Sequence, residues 1–207
     1  MTGGPAAAMP LRHLALGDSY TVGEGVPADA SWPAQLRRRL HEDGIAVDPP
    51  RIVAVTGWTT DELAAGMDAA ALVPAWDLVT LQIGVNNQYR GRPVAEYHQE
   101  FANLLQRAIA LAGDRPARVV VVSIPDWGVT PFARDPQRDD AVIAAELDAC
   151  NAVAGAETMR RGAGWVDVTT ISRQRPGDVV GDGLHPSGAQ YAAWVEAIAP
   201  AVRAALR

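Results

Sequence analysis

Two short stretches at opposite ends of the chain carry residue types that could work together. Gly17-Asp18-Ser19-Tyr20 offers a serine near the start, and Asp182-Gly183-Leu184-His185-Pro186 sets a carboxylate three residues before an imidazole. A serine hydroxyl alone is a weak nucleophile. It becomes a useful one when a neutral histidine takes its proton and a carboxylate orients that histidine. Ser19, His185 and Asp182 are therefore candidates for acyl-transfer chemistry. That chemistry also needs donors aimed at the oxyanion of a tetrahedral intermediate. Three candidates are the backbone N–H of Ser19, the backbone N–H of Gly57 and the side-chain amide of Asn86. Each of these residues also has an ordinary use, as a helix cap, a turn former or a strand end. Their joint placement carries more weight than any one of them.

The elements between these residues must bring them together. Arg12 to Gly17 reads as a strand ending at the Ser19 loop, and Thr21 to Ser31, with Gly23, Gly25 and Pro27, reads as a surface loop. Trp32 to His41 reads as a helix, Arg51 to Thr56 as a strand, and a helix is expected after Gly57, with Thr59 and Glu62 at capping-box spacing. Asp77 to Ile83 is the next strand and Gly84 to Arg92 the loop after it. From Pro93, apolar residues recur in steps of three and four through Ala112, the period of an amphipathic helix. Ala117 to Ile124 contains four consecutive valines, as in a strand buried on both faces. A loop (Pro125 to Asp135), a long helix (about Pro136 to Arg161) and a strand (Trp165 to Val168) follow. Thr169 to Leu184 reads mostly as loop. Ser187 and Gln190 form a second possible capping box, opening a last helix to about Leu206.

Strands alternating with helices predict an α/β fold: a three-layer sandwich on a five-stranded parallel sheet, in flavodoxin-like order 2-1-3-4-5. Sites in such sheets lie outside the carboxyl ends of the strands. Ser19, Gly57, Gly84 and Pro125 all fall there, and the Asp182 to His185 loop can reach the same edge. Residues 1–10 are expected to form a flexible tail, and residues 11–207 a single catalytic domain.

The bulk properties exclude several alternatives. The chain has 207 residues, 48% of them hydrophobic, which suits one core. A net charge of −6, with no basic patch, argues against a nucleic-acid partner. There is no lysine, and so no Schiff-base or phosphate-loop lysine. Cys150 is the only cysteine, which excludes an intrachain disulfide, and it reads as a buried small hydrophobe. His13, His41, His98 and His185 are scattered, so no metal site and no cofactor are expected. With no signal-peptide pattern and no run of ~18 apolar residues, a soluble cytoplasmic protein without a membrane span is expected. Arg90 and Arg92 read as solvated. No serine has the Gly-x-Ser-x-Gly context of the α/β-hydrolases, and Gly17, Gly23 and Gly25 do not make a dinucleotide fingerprint.

Taken in order, Gly17-Asp18-Ser19, Gly57, Gly84-Val85-Asn86 and Asp182-x-x-His185 resemble the four motif blocks of the SGNH hydrolases, also called GDSL esterases/lipases. The resemblance spans nearly the whole chain. It implies Ser19 as nucleophile, His185 as base and Asp182 as its orienter. It also implies Ser19, Gly57 and Asn86 as oxyanion hole. With no lid-like insertion and a pocket built from loops, a small-molecule ester of short acyl chain is the expected substrate. Acyl transfer to an alcohol or sugar and carbohydrate O-acetyl ester cleavage are alternatives on the same site. A non-catalytic binding module is a further one. Two positions depart from the pattern: Tyr20 replaces the leucine of the family name, and Asn87 stands where aspartate is common. Tyr20, Trp58, Asn87, Tyr89, Trp127 and Leu184 flank the motifs and are candidates for the substrate pocket. The sequence gives no reading of oligomeric state.

Overall fold

β1 (His13–Gly17) is buried along its whole length in the computed structural model, which describes residues 9–135 and 139–207. It pairs in parallel with β2 (Arg51–Ala54) on one side and β3 (Leu78–Gln82) on the other. β4 (Val119–Val122) and β5 (Gly164–Val166) continue beyond β3, giving the order 2-1-3-4-5. The four valines of β4 are all buried, as a strand covered on both faces requires.

Helices follow the strands in turn. After β1 comes a single turn, α1 (Ser19–Val22), and then α2 (Trp32–Glu42). α3 (Thr60–Ala69) follows β2, and α4 (Val85–Tyr89) and α5 (Val94–Leu111) follow β3. α6 (Asp140–Arg160) follows β4; α7 (Thr169–Gln174) and α8 (Gly188–Ala205) follow β5. α2 packs with α8 in one layer, while α5 packs with α3 and α6 in the other. The apolar stripe of α5 (Tyr97, Phe101, Leu104, Leu105, Ala108) is buried, as its period predicts. Cys150 lies buried in α6, where burial pushes its thiol up to about 11. No helix among the described residues is long and apolar enough to cross a membrane.

Several local expectations need correction. The segment from Thr21 to Ser31 is not a plain surface loop: its start is helical, and Thr21 and Ser31 are both buried. Gly84 to Arg92 contains α4, and Thr169 to Leu184 contains α7. These turns are too short to show a helical period, so nothing in the pattern reveals them. The Thr59/Glu62 capping box does form, Glu62 accepting from the Thr59 N–H at 2.9 Å. The Ser187/Gln190 pair forms only half of one. Ser187 Oγ accepts from the Gln190 N–H, but the Gln190 amide donates instead to the Asp178 carbonyl at 2.7 Å. Residues 1–8 of the expected tail, and the Pro136 start of the expected long helix, lie outside the described residues.

Candidate active site

The carboxyl end of β1 turns sharply. A Cβ on Gly17 would stand 2.1 Å from Thr21 Oγ1 and 2.5 Å from the Gln82 carbonyl, so only glycine lets α1 fold back this tightly. Asp18 caps that turn, accepting from the Tyr20 N–H at 3.1 Å. Burial pushes the Asp18 carboxyl up to about 7, against the pull of that hydrogen bond. The result is a rigid, buried support on which Ser19 stands at the first helical position.

The Asp182 to His185 turn comes from the other side. Asp182 Oδ1 accepts from the N–H groups of Leu184 and His185 at 2.8 and 3.0 Å, and its Oδ2 accepts from His185 Nδ1 at 2.6 Å. Burial works against the charge of this carboxylate. The hydrogen bond from the imidazole and those from the backbone outweigh it and hold the group below the usual carboxylate range. The turn is anchored to the rest of the protein by the Phe132 N–H, which donates to the Gly183 carbonyl at 2.9 Å, and by a bridge between Val179 and Pro186. His185 Nε2 then lies 3.0 Å from Ser19 Oγ, across 166 residues of sequence. Tyr20 packs its ring edgewise against the imidazole, with centroids 5.8 Å apart. Hydroxyl, imidazole and carboxylate thus form one hydrogen-bonded line. With Nδ1–H given to Asp182, Nε2 is the free base facing the serine, a geometry that can move the hydroxyl proton.

The line opens on a cavity of about 220 Å³. Gly57 and Asn86 border it beside Ser19 and His185. Gly57 has φ +87°, a left-handed conformation that turns its peptide in a way a side chain would resist. The Asn86 amide donates to the Trp58 carbonyl at 2.9 Å, which fixes its orientation and leaves its second N–H for another acceptor. All five residues of the expected triad and oxyanion hole therefore meet at one sheet edge.

The expected pocket residues divide. Tyr20, Tyr89, Trp127 and Leu184 line the cavity. Trp58 and Asn87 do not. The Trp58 ring lies on α3 so closely that a Cβ on Gly66 would come within 2.2 Å of it. Asn87 is fully buried and ties α4 to the start of α3, accepting from the Thr60 N–H at 3.1 Å and donating to the Thr60 hydroxyl at 2.6 Å. Both therefore brace the loop behind the site. Three wall residues were missed: Thr56, Val85 and Phe132. Thr56 and Val85 adjoin motif residues, which was a usable signal. Phe132 comes from the long loop after β4, where nothing in the sequence says which aromatic turns inward. Together Tyr89, Trp127 and Phe132 form a continuous edge-to-face wall, with centroids 5.4 and 6.1 Å apart.

A doubly wound α/β sheet with a serine, histidine and aspartate aligned at its carboxyl edge defines the class of this protein. Residues 15–193 match the model of the GDSL-like lipase/acylhydrolase family, and the chain belongs to that family. It is 31% identical over 120 residues to an arylesterase of Vibrio mimicus, covering 56% of this chain and 58% of that one. It is 30% identical over 128 residues to the esterase TesA of Pseudomonas aeruginosa, covering 59% of each. The chain thus matches less than two thirds of the length of these relatives. A crystal structure of TesA superposes with a TM-score of 0.73 at 23% identity, covering 94% of this chain and 99% of that one, and shows the same fold.

Proposed function

We propose that this chain is a serine-dependent carboxylic ester hydrolase that cleaves small or short-acyl esters through an acyl-serine intermediate. The observation that carries this reading is the line from Ser19 Oγ to His185 Nε2 at 3.0 Å and from His185 Nδ1 to Asp182 Oδ2 at 2.6 Å, open to a cavity. In the proposed cycle His185 accepts the Ser19 proton as the serine oxygen attacks the ester carbonyl. The Ser19 and Gly57 N–H groups and the Asn86 amide stabilise the resulting oxyanion. His185 then protonates the departing alkoxide, leaving an acyl-serine. Water, deprotonated by the same imidazole, releases the acid and restores the serine.

The cavity supports the choice of substrate. At about 220 Å³ it is smaller than the roughly 300–1,000 Å³ of sites for drug-sized ligands. Its aromatic wall favours a flat or short apolar group. The names of the two relatives, an arylesterase and an esterase, support ester cleavage. The test is a fluorophosphonate probe with a panel of nitrophenyl esters of increasing acyl length. The wild type is expected to label at Ser19 and to hydrolyse acetate and butyrate best. Ser19→Ala is expected to lose both labelling and hydrolysis, the latter by at least about 10³-fold. Full activity in Ser19→Ala would exclude the mechanism. Faster product formation with an added acceptor alcohol would instead mark acyl transfer.

A further inference from the structure

Three consecutive residues around Gly57 are each held from outside their own loop. The Thr56 hydroxyl donates to the Glu24 carboxylate. The Gly57 carbonyl accepts from Arg90 Nη2 at 2.7 Å. The Trp58 carbonyl accepts from Asn86 Nδ2 at 2.9 Å. Two of these three holds come from α4 and its C-terminal cap. Asn86 lies in the first turn of α4 and Arg90 caps its C-terminus, four residues on and so on the same side. Arg90 is steadied in turn by Glu62, 3.3 Å from the same Nη2, while Glu62 is fixed by the Thr59 N–H.

We infer that Arg90 is a positioning residue for the oxyanion site: its guanidinium clamps the Gly57 carbonyl and so holds the Gly57 N–H against the Asn86 amide. This rests on the hydrolase reading above. The physical need is plain. Gly57 borders the cavity in a left-handed backbone conformation, and glycine is also the residue with the most freedom to leave that conformation. A donor stabilises a developing charge only if it is already in place, and misplacement by about 1 Å can cost on the order of 100-fold. A solvated arginine waiting for an anionic substrate fits less well, because Nη2 is already engaged by the Gly57 carbonyl and Glu62. As a half-exposed ion pair, Arg90 contributes little to overall stability, so its loss should register in catalysis instead.

The experiment compares wild type, Arg90→Met, Arg90→Lys and Arg92→Met on neutral p-nitrophenyl acetate, with thermal unfolding of each. Arg92 pairs with Asp61, Glu96 and Glu100, so it serves as a control for surface charge. Arg90→Met is expected to lower kcat about tenfold with KM nearly unchanged, a loss below that of deleting a donor outright. Arg90→Lys should recover part of the loss, and Arg92→Met should match the wild type. The clamp is overturned if Arg90→Met keeps its kcat, if Arg92→Met loses as much, or if the loss tracks a lowered Tm. It is also overturned if the change is a KM increase confined to anionic esters. A wild type that neither labels with fluorophosphonate nor hydrolyses esters removes the hydrolase reading and the clamp together. A wild type that does both beside an unaffected Arg90→Met removes the clamp alone.

Discussion

Two histidines in this protein each lie 3.0 Å from a hydroxyl, and only one sits in a site. His185 Nε2 faces Ser19 Oγ, and His13 Nε2 faces Thr80 Oγ1. The difference lies in everything around the pair. His185 gives its other nitrogen to Asp182 and borders a cavity. His13 starts β1, is 1% exposed, and its Nδ1 has no partner among the described residues. Burial pushes the His13 pKa down to about 3, so it stays a neutral core residue. A histidine on a hydroxyl is therefore a packing motif by default. It becomes chemistry when a carboxylate fixes the tautomer, a cavity admits an ester and donors wait for the oxyanion.

The largest expected break of this contrast is at the carboxylate. Asp182→Asn should lower kcat about 10⁴-fold near neutral pH, by removing the charge that stabilises the imidazolium. Thr80→Val, at the other histidine, should leave kcat unchanged and cost only stability, about 1–3 kcal/mol for the partner left unpaired. Because Asp182 is held below the usual carboxylate range, its carboxylate should stay ionised through mildly acidic pH. Next comes the oxyanion side: Asn86→Ala should lower kcat about 10²–10³-fold with a small change in KM. A raised KM with kcat unchanged would make Asn86 a ground-state binding residue instead.

The smallest effect sharpens the role of His13. The unfolded chain protonates this histidine near 6.5, while the folded chain resists until about 3. The stability it confers is thus complete above 6.5 and is lost as pH falls through that window. Between pH 7 and pH 5 the wild type should lose on the order of 2 kcal/mol from this group. Urea midpoints at the two pH values measure the loss, and His13→Gln should show less of it. An unchanged pH dependence in that variant would mean that His13 does not titrate on unfolding.

Much of this was legible in the chain. The parallel sheet and its order follow from alternating strand and helix patterns, and β4 with its four valines could hardly sit elsewhere. Ser19, Gly57, Asn86, Asp182 and His185 were legible because motif spacing and strand ends coincide. α1, α4 and α7 were not, since four to six residues cannot display a period. Trp58 and Asn87 were expected in the pocket because they adjoin motif residues. Adjacency along the chain does not say which way a side chain turns, and both turn back to brace α3.

By itself, the sequence determined which chemistry was available: one serine, one carboxylate and one imidazole at the ends of a doubly wound order, with glycine where a backbone donor must be free. Local patterns encode these because residue type and strand period act over a few positions. Only the tertiary structure decided that Ser19 and His185 meet across 166 residues, that Phe132 completes the aromatic wall, and that Arg90 holds the Gly57 loop. Those contacts depend on the packing of α4 and on where two distant loops come to rest. The whole chain must fold before they exist.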